Sequence, residues 1–308
     1  MAKMPTPDAA LKKFFRDNEI FAALFNDCLF GHEEIIQAEE LLPMDTAFTD
    51  TVPTSGRYEK ISKYRDNLRQ AKAGCRLVIL GVEDQDMVHY AMPVRKLLYD
   101  ALCYSSELTG KTVTTEEKKE WTADERLSGV RKGTMLTPVI TVVFYTGGEP
   151  WDGPKSLHEM MDMDEQIVRL VPDYPLWVID MGHDESLSFT NKTLEELRNI
   201  LLSIYSGTAA DNDMEFDNSV ISLAGILTGD RHLYMNAGRA RGGKQTMWRV
   251  IEERDKKLVA EAEAKQASKA LNERNNSIRL LYKNGVAISV ISDSFSIPSE
   301  EINSIIGK

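Results

Sequence analysis

The sequence lacks the long apolar segments that place a protein in or across a membrane. None of its apolar runs approaches the ~20 residues that a membrane-spanning helix needs. The first residues, Met-Ala-Lys-Met-Pro-Thr-Pro, contain no apolar core of a secretory signal. We therefore expect a cytoplasmic protein with no membrane partner.

Cysteine is scarce and histidine is scattered. The three cysteines, Cys28, Cys75 and Cys103, have no metal-ligand spacing, and their odd number argues against a disulfide framework. The five histidines show no zinc spacing. No Gly-x-Ser-x-Gly motif of an α/β-hydrolase is present. The sequence therefore predicts a reducing environment and neither a zinc site nor a nucleophile elbow.

Positive charge is also in short supply. The chain has 37 Lys and Arg against 48 Asp and Glu, a net charge of −11. This argues against a protein that coats nucleic acid over its whole surface. Between Arg231 and Lys283, however, 13 basic residues face 6 acidic ones, a local +7 that leaves −18 elsewhere. This basic segment is typical of transient contact with a phosphate backbone or, equally, of a solvated helix surface.

The chain of 308 residues can bury a substantial core. Apolar and β-branched runs predict three strands, at Leu77–Val82, Val139–Tyr145 and Leu176–Met181. Helical patterns run from Pro93 to about Leu108 and over Thr193–Tyr205. Strands that alternate with helices predict an α/β core.

The remaining N-terminal pattern predicts one long helix and contains one turn-rich stretch. Asp8 is the predicted N-cap of a helix of about twenty residues, which Gly31 ends. Thr49–Arg57 is polar and rich in turn residues.

After Ser206 the patterns predict helices without strands, at Val220–Leu227 and Thr246–Ala270. Ser277–Lys308 has the outline of a helix-turn-helix, but its second helix offers Glu300 and Glu301 where DNA binding requires basic or amide groups. Two short packed helices are the alternative. We therefore divide the chain into residues 1–206, a helical extension with the basic segment over 207–275, and a two-helix module over 276–308.

A set of polar residues surrounds the end of the strand Leu77–Val82. Glu83, Asp84 and Gln85 follow the strand directly, and Asp66 precedes Glu83 by seventeen residues. The next helix carries Arg95 and Tyr99. Paired carboxylates with a nearby amide and guanidinium are what a Mg²⁺-dependent phosphodiesterase needs. The alternative is that acidic residues end this strand only to face water.

The order of these residues resembles a known family. Asp66, then Gly81–Gln85, then Met92–Arg95 and Tyr99 resemble the PD-(D/E)xK core of the recombination-promoting nuclease (YhgA-like transposase) family. The resemblance covers about the first two thirds of the chain. Further matching positions are Asp8–Lys12, Pro138–Ile140, Phe144, Tyr145, Trp151, Pro154, Ser156, Leu157 and Val178–Asp180.

The resemblance implies a restriction-endonuclease-like α/β core, a mixed central sheet flanked by helices, followed by an all-α C-terminal region. It also implies a metal-dependent DNA endonuclease linked to recombination or mobile DNA. Asp66, Glu83 and the carbonyl of Asp84 would hold Mg²⁺ or Mn²⁺. DNA is then the expected partner, and a homo-oligomer is a further expectation.

Gln85 stands where most PD-(D/E)xK enzymes have lysine. An amide can orient a water molecule but supplies no positive charge. That role would fall to Arg95, to Lys12 or to a second metal ion. Arg95 and Tyr99 lie one helical turn apart and would contact the phosphate or hold Glu83; the alternative is a surface ion pair beside a core tyrosine.

Two assignments have alternatives of their own. In the family, an apolar strand follows the aspartate that matches Asp66, whereas Asn67–Gln70 looks polar or helical, so Glu59 is the alternative carboxylate. Asp8 is at least as consistent with a cap as with a site. Lys12 shares the spacing of Asp8 and matches the family.

Three other functions are alternatives to the nuclease. Gly238–Lys244 formally satisfies GxxxxGK, but no apolar strand precedes it and Gln245 replaces the Mg²⁺-binding Ser or Thr, so we exclude a P-loop NTPase. Arg239, Arg241 and Lys244 could instead contact phosphates. The main alternative to catalysis is a nuclease fold that binds DNA or protein without cleavage, and a transposase is a third option.

Overall fold

The computed structural model describes residues 4–44, 47–54, 57–64, 66–73, 76–110, 117–206, 214–237 and 243–307. Cys75, Arg239 and Arg241 lie outside these ranges. The chain divides into two compact units, Met1–Trp248 and Arg249–Lys308. The sequence analysis placed its divisions after residues 206 and 275.

A five-stranded mixed sheet forms the centre of the first unit, with strand order β1-β4-β5-β6-β7. β4 is antiparallel to β5, whereas β6 and β7 continue the sheet in parallel with β5. β2–β3 and β8–β9 are separate antiparallel pairs. The strands are β1 Leu42–Pro43, β2 Ala47–Thr54, β3 Arg57–Tyr64, β4 Asn67–Ala73, β5 Arg76–Gln85, β6 Val139–Tyr145, β7 Trp177–Asp180, β8 Glu215–Asp217 and β9 Lys244–Thr246.

The helices of the first unit follow or precede these strands, and the last three belong mainly to the second unit. They are α1 Pro7–Phe14, α2 Asn18–Leu29, α3 Met92–Gly110, α4 Ala123–Ser128, α5 Glu165–Val168, α6 Lys192–Ser206, α7 Asn218–Leu227, α8 Arg231–Ala237, α9 Met247–Lys283, α10 Ile288–Phe295 and α11 Ser299–Ile306. The predicted α/β class is confirmed, with a mixed sheet and helices.

Helices cover both faces of the sheet, which explains why β6 is apolar throughout. On one face α3 packs through Met92 beside Val143. On the other face, at the end of α1, the ring of Phe15 meets Phe144 edge-on, with ring centroids 5.0 Å apart. Burial of each such side chain stabilises the fold by roughly 1.5–3 kcal/mol. The sheet edge between these two layers is therefore held rigidly.

The single helix predicted after Asp8 is wrong, because two helices occupy this segment. Thr6, not Asp8, caps α1 by accepting a hydrogen bond from the amide of Ala9. α1 ends at Phe14, and Asp17 begins α2 by accepting hydrogen bonds from the amides of Glu19 and Ile20. The apolar spacing continues through the break since both helices pack on the same core.

The turn-rich stretch Thr49–Arg57 contributes to the hairpin of β2 and β3. Its pairing runs from Ala47 opposite Tyr64 to Thr54 opposite Arg57. Thr and Val favour extended backbone even in a polar sequence, and an antiparallel partner lies directly downstream. The polar sequence of β2 therefore gave no indication of the β2–β3 pair.

The all-α region predicted after Ser206 is also wrong in one respect. β8 and β9 form a short antiparallel pair, with Phe216 opposite Gln245. The Phe216 side chain is fully buried. Strands of three residues leave almost no periodic signal in a sequence.

The second unit has a small core of its own. Ile278 of α9, Ile291 of α10 and Ile302 of α11 are completely buried against one another. The acidic group of Glu301 pairs with Arg274 across a distance of 2.7 Å. Across the described ranges of the chain, no helix is both long and apolar enough to span a bilayer.

Candidate active site at the end of β5

The sheet topology brings Asp66 to the end of β5. β4 and β5 are antiparallel, so the beginning of β4 lies beside the end of β5. Asn67 is paired with Val82, which places Asp66 one step further along, beside Glu83. Residues seventeen positions apart in the sequence therefore meet at one edge of the sheet, which we call the β5 edge.

Asp66 closes the ladder between these two strands. Its Oδ2 accepts a hydrogen bond of 3.0 Å from the backbone amide of Asp84. Its Oδ1 lies 3.7 Å from Nζ of Lys12 on α1, and the same Nζ lies 2.8 Å from Oδ1 of Asp8. The Asp66 carboxylate thus contacts both the end of β5 and α1.

Glu83 projects toward α3. Its side chain is completely buried, and Oε2 lies 3.4 Å from Nη2 of Arg95. The Arg95 Nε donates a hydrogen bond of 3.1 Å to the Tyr99 hydroxyl. Tyr99 in turn packs with Leu68 of β4. Tyr99 is therefore a core residue whose hydroxyl accepts from Arg95.

Asp84 projects to the opposite face, since successive strand side chains alternate. Asn67 Nδ2 donates a hydrogen bond of 3.2 Å to Asp84 Oδ2. No hydrogen-bond donor among the described residues reaches the buried Asp84 Oδ1. The side chain of Gln85 turns back, and its Nε2 donates a hydrogen bond of 2.8 Å to the Asp84 carbonyl.

Two carboxylates of the β5 edge have raised pKa values. Burial raises the pKa of Asp66, although the Asp84 amide and Lys12 oppose the shift. Burial also raises the pKa of Asp84 well above its ordinary value, and the negative charges of Asp66 and Glu83 add to this effect. The hydrogen bond to Asp8 raises the pKa of Lys12. The folded structure therefore disfavours the ionised forms of Asp66 and Asp84.

Two clefts lie beside the β5 edge. One of about 220 Å³ is lined by Asp8, Asp84 and Gln85. The other, of about 330 Å³, is lined by His89, Arg95 and Tyr99 together with apolar side chains of α3.

No protein-family model, no curated protein and no solved structure matches this chain. The function must therefore be argued from the site itself.

The structure gathers the residues that the sequence analysis selected into two linked groups. Asp8, Lys12, Asp66, Asp84 and Gln85 form one. The other is Glu83 with Arg95 and Tyr99, and the backbone of β5 joins the two. The alternative carboxylate, Glu59, lies in β3 within the separate hairpin, and its side chain is outside the described set.

Asn67 is the site residue that the sequence analysis missed. The order Asp66–Asn67 was interpreted as polar or helical sequence, yet Asn67 opens β4 and is buried. Arg69 is likewise buried in β4 and donates to the carbonyl of Phe15. A polar strand is possible here because the Asn67 amide and the terminal guanidinium nitrogens of Arg69 have hydrogen-bond partners.

The donor set suits a hard divalent cation in its chemistry. Carboxylate and carbonyl oxygens are the ligands that Mg²⁺ and Mn²⁺ prefer. Among the described residues no group of three or more His, Cys, Asp or Glu side chains is arranged to hold a metal. The predicted set has only two carboxylates and a backbone carbonyl, so it falls below that number.

Proposed function

We propose that this protein is a divalent-metal-dependent DNA endonuclease and that the β5 edge is its active site. The observation that carries the proposal is the delivery of Asp66 to the end of β5, next to Glu83, by antiparallel pairing. Among the described residues, four carboxylates and two cationic side chains lie along this edge. The carboxylates are Asp8, Asp66, Glu83 and Asp84, and the cations are Lys12 and Arg95.

The burial of these carboxylates supports a cation-binding role. Burial makes each ionised carboxylate more costly, and a bound divalent cation would offset that cost. Asp66 and Glu83 would hold the ion, with the Asp84 carbonyl as a third oxygen ligand. When bound, a divalent ion would supply an activated water and positive charge at a scissile phosphate.

The protein side chains would position the substrate and the water. Arg95 and Lys12 offer the positive charge for a phosphate, because both already lie beside the carboxylates. The Gln85 amide can donate to or accept from a water molecule once it leaves the Asp84 carbonyl. Tyr99 keeps the Arg95 guanidinium in place.

The resemblance to the recombination-promoting nuclease family gains support from β4. In that family a strand follows the matching aspartate, and here β4 begins at Asn67, directly after Asp66. The strand itself is therefore present, and the polarity of Asn67, Arg69 and Gln70 is the difference from the family that remains. A PD-(D/E)xK core and a link to DNA recombination are parts of the same proposal.

The proposal predicts nicking of supercoiled plasmid by the full-length protein in the presence of Mg²⁺ or Mn²⁺. Glu83→Gln keeps the shape of the side chain but removes its charge, and should lower the rate by at least roughly 100-fold. Asp66→Asn should have a similar effect. The measurement is the first-order rate of conversion from supercoiled to open-circular DNA on a gel.

Glu165→Gln is the matched control, because Glu165 is an exposed carboxylate on α5, away from the β5 edge. It should nick like the unaltered protein. Nicking of equal rate by Glu83→Gln, or no nicking by the unaltered protein with either metal, would refute the assignment.

One observation favours the alternative function, a nuclease fold that binds DNA or protein without cleavage. Gln85 replaces lysine and donates to the carbonyl that would be a metal ligand. Such a module would bind DNA equally with metal and with a chelator. The exposed Lys256, Lys265 and Lys269 of α9 are candidates for phosphate contact. Each contact changes the slope of log K against log salt by roughly 0.9.

A further inference from the structure

Three residues from distant parts of the first unit form a second polar cluster, which we call the Ser188 cluster. Asp27 lies near the end of α2, His32 follows that helix, and Ser188 precedes α6. The Nδ1 of His32 lies 2.9 Å from Asp27 Oδ1. The Nε2 of His32 lies 3.4 Å from the Ser188 hydroxyl.

The geometry fixes the roles of the two ring nitrogens. Asp27 is almost fully buried and can only accept when ionised, so it selects the tautomer with the proton on Nδ1. Nε2 is then the acceptor, and it faces the hydroxyl of Ser188. Asp27 is itself held by Thr190, whose amide and hydroxyl both donate to it. The chain of contacts is that of an activated serine.

The backbone at this cluster is unusual. His32 has a φ of +68° and follows Gly31, which has a φ of +61°. Within the described ranges, the only other non-glycine residue with positive φ is Ser296. Left-handed backbone at a larger side chain is strained, and such strain clusters at functional sites. Here it holds the imidazole over the loop that carries Ser188.

A cleft of about 410 Å³ adjoins the cluster and is lined by both Asp27 and His32. Glu19, Glu34 and Glu39 line the same cleft. Their charges favour a cationic ligand. Cys28 is a neighbour but cannot compete as nucleophile, because burial and the charge of Asp27 raise its pKa to about 12.

We propose that Ser188 is a nucleophile, with His32 as its general base and Asp27 as a positioning residue, and that it accepts acyl groups from esters with a cationic substituent. The bond from Ser188 Oγ to the acyl carbon forms as the bond to the leaving alkoxide breaks. The serine proton passes to His32 Nε2 and then to that alkoxide. Water attacks the acyl-serine by the same route, which releases the acid and restores Ser188.

The surroundings of Ser188 also limit the rate. The two following amides are occupied, since Phe189 donates to Glu195 and Thr190 donates to Asp27. Neither can stabilise an oxyanion without giving up its partner. We therefore expect ready reaction with activated reagents and slow turnover of esters.

The first test treats full-length protein with a fluorophosphonate, whose phosphorus bonds to Oγ as fluoride leaves. We expect one adduct, at Ser188, by intact mass and peptide mapping. His32→Gln should lower the labelling rate by at least about 100-fold. Asp27→Asn should lower the limiting rate at saturating reagent, which a purely structural tie to Thr190 would leave unchanged.

Ser186→Ala is the matched control, because Ser186 lies on the same loop but its hydroxyl donates to Asp184. It should label normally, and Ser188→Ala not at all. Thermal unfolding of each variant separates lost reactivity from lost structure. Failure of the folded, unaltered protein to label at Ser188, or equal labelling of a folded His32→Gln, would overturn the proposal.

The second test addresses the cationic substituent. Acetylcholine should be hydrolysed at least about tenfold faster than the uncharged isosteric neohexyl acetate, since a cleft of one sign concentrates the opposite charge. The joint change of Glu19, Glu34 and Glu39 to Gln should abolish this preference but preserve fluorophosphonate labelling. Equal rates for the two esters would exclude cationic selectivity.

Discussion

Two consecutive residues of α3, Arg95 and Lys96, belong to two different polar clusters with different sets of charges. Arg95 faces the β5 edge, whereas Lys96 and Asp100 point into the core and form what we call the Asp100 network. Lys96 Nζ lies 3.1 Å from Asp100 Oδ2, and Thr141 donates to Asp100 Oδ1 at 2.8 Å. The Tyr174 hydroxyl also donates to Asp100, and its ring lies against the Lys96 ammonium.

Among the described residues, the Asp100 network places the Lys96 ammonium and the hydroxyls of Thr141 and Tyr174 around one carboxylate. Of the described residues, the β5 edge instead gathers four carboxylates and two cations, and the pKa values of Asp66 and Asp84 are raised. A buried cluster with balanced charge is typical of a structural role. An unbalanced one is typical of a site that awaits a ligand of opposite charge.

The largest expected effect tests the structural half of this comparison. Asp100→Ala should lower the free energy of unfolding by about 3–5 kcal/mol, because it removes the carboxylate that lies beside the buried Lys96 ammonium. The measurement is urea unfolding followed by circular dichroism. Asp162→Ala, at an exposed aspartate, is the control and should change stability by less than about 0.5 kcal/mol. A loss of unfolding free energy in Asp100→Ala as small as in the control would contradict a structural role for the Asp100 network.

The next effect tests whether the β5 edge binds a cation. Mn²⁺ at a hundred times its dissociation constant should stabilise the protein by about 2.7 kcal/mol. Melting should therefore occur several degrees higher, and a chelator should reverse the change. The measurement is thermal unfolding at increasing Mn²⁺ concentration.

Glu83→Gln should remove this stabilisation, while Glu165→Gln should keep it. An equal rise in both variants would place Mn²⁺ somewhere other than the β5 edge.

The smallest effect concerns Asp84 and its dependence on pH. Its folded-state pKa is raised, mainly by burial, so the ionised form destabilises the fold. Asp84→Asn should raise the free energy of unfolding near pH 7 by roughly 1–2 kcal/mol, since an amide removes the charge and can donate toward neighbouring carboxylates. Thermal unfolding over a range of pH measures it.

The sign of this dependence follows from linkage. Between the ordinary aspartate pKa of about 3.9 and the raised folded value, the native state binds more protons than the unfolded state. The contribution of Asp84 is therefore fully present below that ordinary pKa and is lost as pH rises through the folded pKa. The difference between Asp84→Asn and the unaltered protein should shrink toward zero in acid. A difference that is independent of pH would exclude Asp84 as its source.

The local patterns of the sequence determined the elements that are apolar or strongly periodic. Val139–Tyr145 was predicted as a buried strand and is β6, with the same bounds. The pattern from Pro93 is α3, and the one from Thr193 is α6. These predictions succeed because a strand covered on both faces must be apolar along its length, and a helix on such a sheet must repeat its apolar contacts every turn.

Polar elements could not be predicted in the same way. β4 looked helical or irregular because Asn67 and Arg69 are polar, yet each is buried with a partner from elsewhere in the chain. The break between α1 and α2 and the short β8–β9 pair likewise leave weak local patterns. Whether a polar group can be buried depends on what the tertiary structure places beside it.

The sequence alone thus determined that an apolar strand ends in Glu83, Asp84 and Gln85. Only the tertiary structure decided what meets them there. Antiparallel pairing brings Asp66 to that edge, and the packing of α1 and α3 adds Lys12 and Arg95 from opposite faces. Ser188 and His32 meet in the same way from 156 residues apart. Chemistry at such sites depends on distances in space, which the order of residues along a chain does not specify.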